Sequence, residues 1–139
     1  MSAVAFEATE IRHLPFNGAV VRPYRAGGTI TVGNLVFVAT DGDVEAADGN
    51  VDAVSATAVG IAVCGLDGET AIASGDPVSV CVFGPVSGYS GMTPGDILYV
   101  SDTVGRVDTA PGTFDRAIGY AERAGVVFVN PQINDPSSA

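Results

Sequence analysis

The chain has 139 residues, 47% of them apolar, which is enough for one modest hydrophobic core and too apolar for a disordered chain. Its formal charge is −10, from 16 acids and 6 bases, a balance that argues against phosphate backbones and anionic membranes as partners. All six bases are Arg, and the lack of Lys excludes Schiff-base chemistry, a Walker-type phosphate loop, a Ser–Lys dyad and any lipoyl or biotinyl attachment.

Residues 1–28 read as an N-terminal arm. They mix Glu, Arg, Asn and Pro with scattered Phe6, Leu14, Phe16, Val20, Val21 and Tyr24, and show no helical period. Their charge is +1, whereas the rest of the chain sets three Arg against 14 acids, a net of −11. Such a segment can order as a strand on a partner, or fold as a first strand onto its own sheet.

From residue 29 the strand signals are dense. Thr29-Ile30-Thr31-Val32 alternates polar and apolar. Leu35 to Thr40 is a near-continuous apolar run, as in a strand buried on both faces. Asp41-Gly42 predicts a two-residue hairpin turn, from which Asp43 to Ala46 returns, and Asp48-Gly49-Asn50 marks another turn. A short helix fits within Val51–Ala58, and Ala58 to Cys64 is the next strand. Asp67-Gly68 predicts a second hairpin with Glu69 to Ala73 returning. Pro77 opens Val78 to Phe83, which alternates strictly, and the Gly- and Pro-bearing stretch Gly84–Gly95 reads as loop. Val126 to Val129 is the last strand, and 131–139 a loose tail.

Four blocks recur in the same order about 60 residues apart. Gly33–Val38 resembles Gly95–Val100, Gly42-Asp43-Val44 resembles Gly105-Arg106-Val107, Ala46–Gly49 resembles Thr109–Gly112, and Ala58–Ala62 resembles Ala117–Ala121. One such unit cannot cover its own apolar face, and two can close on each other. The expected fold is therefore all-β, a small barrel or sandwich over 29–130 built from two related strand units (about 33–62 and 95–121).

Candidate chemistry is sparse. The one histidine, His13, lies in the arm and reads as a surface or interface residue. Gly88-Tyr89-Ser90-Gly91 is one residue short of a nucleophile elbow, and C-x-x-C, H-E-x-x-H and G-x-G-x-x-G are absent. The acids from Asp41 to Asp52 suggest calcium, but Ala46 and Asp52 stand where the helix–loop–helix site needs Gly and Glu, and the second copy puts Arg106 there. No metal or cofactor is expected. Cys64 and Cys81 sit in apolar runs and read as reduced core thiols, the alternative being a disulfide between neighbouring strands. The Arg-Ser-Gly and Gly-Phe-Gly-type motifs of the small trimeric dUTP-hydrolysing enzymes are missing. The N-terminus lacks a basic, then apolar leader and no run reaches the ~20 apolar residues of a span, so a soluble chain made in the cytoplasm is expected.

The order Gly33–Val38, Asp41–Val44, Ala58–Ala62, Gly75–Val80, Gly95–Val100, Gly105–Val107 and Ile118–Ala121 resembles the head decoration, or capsid cement, proteins of tailed bacteriophages over roughly 28–130. The resemblance implies a β body, commonly homotrimeric, on the outer capsid surface of the virion. It implies binding to the major capsid protein through an N-terminal arm, without catalysis. On this chain the arm's cationic and aromatic residues Arg12, Phe16, Arg22, Tyr24 and Arg25 are the implied capsid contacts. The alternatives are another virion or surface binding module, such as a tail or fibre component or a glycan-binding domain, and an enzyme of unidentified type.

Overall fold

A computed structural model describes residues 3–14 and 17–131. Among these described residues there are fourteen strands: β1 (Ala5–Phe6), β2 (Arg12–His13), β3 (Val20–Arg25), β4 (Ile30–Thr31), β5 (Leu35–Val38), β6 (Val44–Ala46), β7 (Gly60–Gly65), β8 (Ala71–Ile72), β9 (Pro77–Ser87), β10 (Tyr89–Ser90), β11 (Ile97–Val100), β12 (Val107–Asp108), β13 (Ala117–Arg123) and β14 (Val126–Val129). A short α-helix, α1 (Ala53–Ala56), falls within the expected helical stretch Val51–Ala58, capped by the Asp52 carboxylate. The all-β expectation holds: ten of these strands form a curled, antiparallel half-barrel sheet, with β1-β10 and β4-β8 as separate two-stranded pairs. Its path runs β12-β11-β13-β14-β9-β7-β5-β6, with β2 and β3 also on β9.

The repeat reappears as topology. In the first copy β5 lies between β6 and β7, and in the second β11 lies between β12 and β13. The turn that launches each central strand has the same bonds. Asn34 N donates to Thr31 O at 2.9 Å, and Asp96 N to Thr93 O at 3.0 Å. The side chains of Asn34 and Asp96 accept from Thr31 N and Thr93 N at 3.0 and 3.1 Å. Gly33 N donates to Ala62 O at 2.7 Å, and Gly95 N to Ala121 O at 2.8 Å. Gly33 and Gly95 both adopt positive φ, +103° and +94°, which explains the shared glycine. Gly60 and Gly119 are the other matched pair. A Cβ on Gly60 would collide with the Cys81 carbonyl oxygen, and one on Gly119 with that of Phe128, so each lets its strand approach the next.

The long strand β9 joins the two copies. Residues 78–81 pair with β7 and residues 84–87 with β14. The interior is filled from both copies by Leu35, Val36, Ile61, Val80, Val86, Leu98, Ile118 and Val127, all essentially inaccessible.

Four local expectations are corrected. The Asp41-Gly42 turn spans three residues, because Ala39 N donates to Asp43 O and Gly42 N to Ala39 O. Gly42 alone takes positive φ there, as in a hairpin with a glycine bulge. Asp67 and Gly68 do form a two-residue turn with positive φ at both, but the strand after it, β8, pairs with β4 and not with β7. Gly84–Gly95 is not all loop, since β9 continues through Pro85 to Ser87 and β10 follows. Of the two thiols only Cys81 is in the core; Cys64 is exposed, and both are free.

The described residues of the expected arm are folded onto the body, the other arrangement its sequence allows. β1 pairs with β10, and β2 and β3 with β9. Val4 and Ile11 are buried in the core. Arg106, in the second copy, clamps the start of the chain: Nη2 donates to Val4 O at 2.7 Å and the guanidinium lies 4.9 Å over the Phe6 ring. Val4 N in turn donates to Val107 O at 2.7 Å, and Ala26 bridges Val44. The segment thus covers the outer edges of both β12 and β6, which would otherwise be open pairing edges.

Candidate interaction surface

Among the described residues no three His, Cys, Asp or Glu side chains gather as a metal site would require. The acids of the suggested calcium loop instead close their own turns. Asp41 accepts from Asp43 N at 3.0 Å, Asp48 from Asn50 N at 2.9 Å, and Asp52 from Ser55 N at 2.7 Å. The bonds to Ser55 hold the Asp52 carboxyl below the usual carboxylate range. Tyr89, within the expected flexible turn, is a buried anchor whose hydroxyl donates to Gly33 O at 2.8 Å. Desolvation pushes its pKa well above the ordinary tyrosine value. His13 is half-buried on β2 and lines a groove of about 350 Å³ with Arg12, Val63, Cys64 and Glu69. No described helix is long and apolar enough to cross a membrane.

The residues implied as capsid contacts are spread along one border of β9. Arg12 is exposed on β2, and its Nη1 donates to the carbonyls of Thr9 and Ile11, closing the turn before it. Arg22, Tyr24 and Arg25 lie on β3, opposite Val80, Val78 and Pro77. Successive partners put Arg22 and Tyr24 on one face of β3 and Arg25 on the other. Arg25 Nε stands 3.7 Å from an Asp43 carboxylate oxygen. Charged side chains and Pro23 on this border are what keep a sheet edge from unwanted pairing. Phe16 lies outside the described residues.

A different surface is more continuous. Ile97 on β11 is the cross-strand partner of Tyr120 on β13, which is the partner of Phe128 on β14. Phe128 faces Pro85 on β9, and two residues back Phe83 is the partner of Val20 on β3. Directly opposed residues share a sheet face, so Ile97, Tyr120, Phe128, Phe83 and Val20 form one strip across five strands. The rings are in contact: Tyr120 stacks on Phe128 at 5.1 Å, and Phe83 meets Phe128 edge-on at 5.2 Å. The strip lies on the outer face, because the immediate chain neighbours Leu98, Ala121, Val127 and Val129 are in the core. Ile97 is 52% exposed, Val20 48%, Phe83 45% and Tyr120 38%, and none of the five carries charge.

No protein-family model matches the chain, and no curated protein matches it significantly. The surface therefore rests on its own geometry.

Sequence reasoning missed the strip, because its apolar residues are visible in the sequence but the side they face is not. Ile97, Tyr120, Phe128 and Phe83 occupy the outward positions of alternating strands, where a one-sided sheet normally carries polar residues.

Proposed function

We propose that this chain is a capsid decoration protein of a tailed bacteriophage, a structural protein that binds the outer surface of the shell and braces it. The single observation that carries the reading is the uncharged apolar strip on the outer face of a densely packed acidic body. Exposed apolar areas of this kind mark protein contact surfaces, and aromatic residues are enriched at them. The order of glycine-punctuated strands in the two copies, which prompted the resemblance, supports it as well.

On this reading the major capsid protein is the main partner and the chain assembles with itself as a homotrimer. Neither role requires a cofactor or catalysis. Many modest contacts repeated over a shell stiffen it through multivalency. A curled sheet whose end strands are bridged by the N-terminal segment and whose β3 border carries Arg and Pro suits that task, because it presents side chains while guarding its strands against aggregation.

Co-sedimentation of the purified chain with expanded, undecorated shells tests the proposal. Saturable binding that raises the shells' disruption temperature is expected. Absence of binding at near-physiological salt would refute it.

A further inference from the structure

We infer that the strip formed by Ile97, Tyr120, Phe128, Phe83 and Val20 is the docking face, and that its partner is a protein surface with an apolar recess ringed by basic side chains. The inference rests on the decoration reading and names the chemistry of the shell surface it would meet.

Size points to a protein partner. Five adjacent strands at ~4.8 Å spacing make a strip about 19 Å across. With whole side chains of about 150–250 Å² for aromatics, the exposed fractions leave roughly 350 Å² of apolar surface. One side of a standard interface buries about 800 Å², of which about 57% is apolar, or roughly 450 Å². The strip thus supplies most of the apolar part of one such interface. It lies on the outer, convex face of the curled sheet, unlike the concave pocket that holds a small ligand.

Charge selects among proteins. The strip is neutral, Asp96 precedes Ile97, and Glu122 follows Tyr120 by two residues. Arg123 is next to Glu122, but the chain beyond residue 28 carries a net −11. A basic rim is attracted to that field at long range, whereas a second copy docked strip to strip sets Asp96 and Glu122 against the same acids, so the homotrimer is held by other surfaces. On the cationic border Arg12 donates to its own turn and Arg25 stands beside Asp43, so exposed Arg22 is the residue that tests whether the border competes.

Shell binding of the full chain is to be titrated for wild type, Ile97→Ser, Phe83→Ser and Tyr120→Ser, with Arg22→Ala as control, at about 50 and about 300 mM salt. Each strip variant is expected to weaken binding about tenfold or more, Arg22→Ala less than about twofold, and salt to weaken wild-type binding. Ile97→Ser serves if a ring variant fails to fold, since that side chain is half exposed and outside the ring stack. Wild-type binding with unaffected strip variants overturns this inference and leaves the decoration reading standing. No wild-type binding overturns both. Binding that strengthens with salt, or self-association in sedimentation velocity that the same variants abolish, assigns the strip to a second copy and overturns the basic-rimmed partner.

Discussion

Replacing Ile11 by Ala distinguishes an N-terminal arm from an N-terminal strand. Ile11 is 1% exposed and packs in the common core beside Gly33, close enough that a Cβ added there would lie 3.2 Å from its Cγ1. Buried Ile→Ala changes cost about 2–5 kcal/mol. Ile11 also lines the groove shared with Val32 and Val63, so its surroundings can relax or hydrate and the cost falls toward the lower end, about 2–3 kcal/mol. For a chain of this length each kcal/mol moves Tm by roughly 3–5 °C, so a fall of roughly 6–15 °C is expected. Ile11→Val is expected to cost only about 0.5–1.5 kcal/mol. Calorimetry or far-ultraviolet circular dichroism melts of the three proteins measure the series. A Tm for Ile11→Ala within about 2 °C of wild type would mean that the segment contributes nothing to the core, and the packing of β2 described above would be refuted.

The matched glycines give a second test. Gly60→Ala and Gly119→Ala each force a Cβ against a neighbouring carbonyl and are expected to lose about 1–3 kcal/mol or more in urea unfolding; Gly91→Ala, which has φ +82° but open space, is expected to lose less. Tyr89→Phe leaves the Gly33 carbonyl without its donor, for an expected loss of about 1–3 kcal/mol. Because burial raises the Tyr89 pKa in the fold, its contribution is complete below the ordinary tyrosine value and is lost as pH rises beyond it; alkaline melts of wild type and Tyr89→Phe should therefore converge. Asp52 works in the opposite direction. Its folded pKa is lowered, so its cap contributes above the usual carboxylate range and is lost as pH falls through the folded value, and the Tm difference of Asp52→Ala should vanish in acid. Thiol titration of the native chain should find one fast group, Cys64, with Cys81 reacting only on unfolding.

The sequence by itself determined the strand content, most turns and the duplicated unit, because these depend on local rules. Glycine at positions 33 and 95 meets a backbone need that no other residue meets as well, and alternation at β9 follows from the two-residue period of a strand. Only the tertiary structure decided where these elements pair. β8 left its hairpin for β4, and β2 and β3 took the border of β9, because pairing partners are set by which apolar faces can be buried together and not by the turn between them. The strip was beyond sequence reading for the same reason. An apolar side chain at 97, 120, 128 or 83 has identical local character whether it points inward or outward, and the curl of the whole sheet fixes which side is the core.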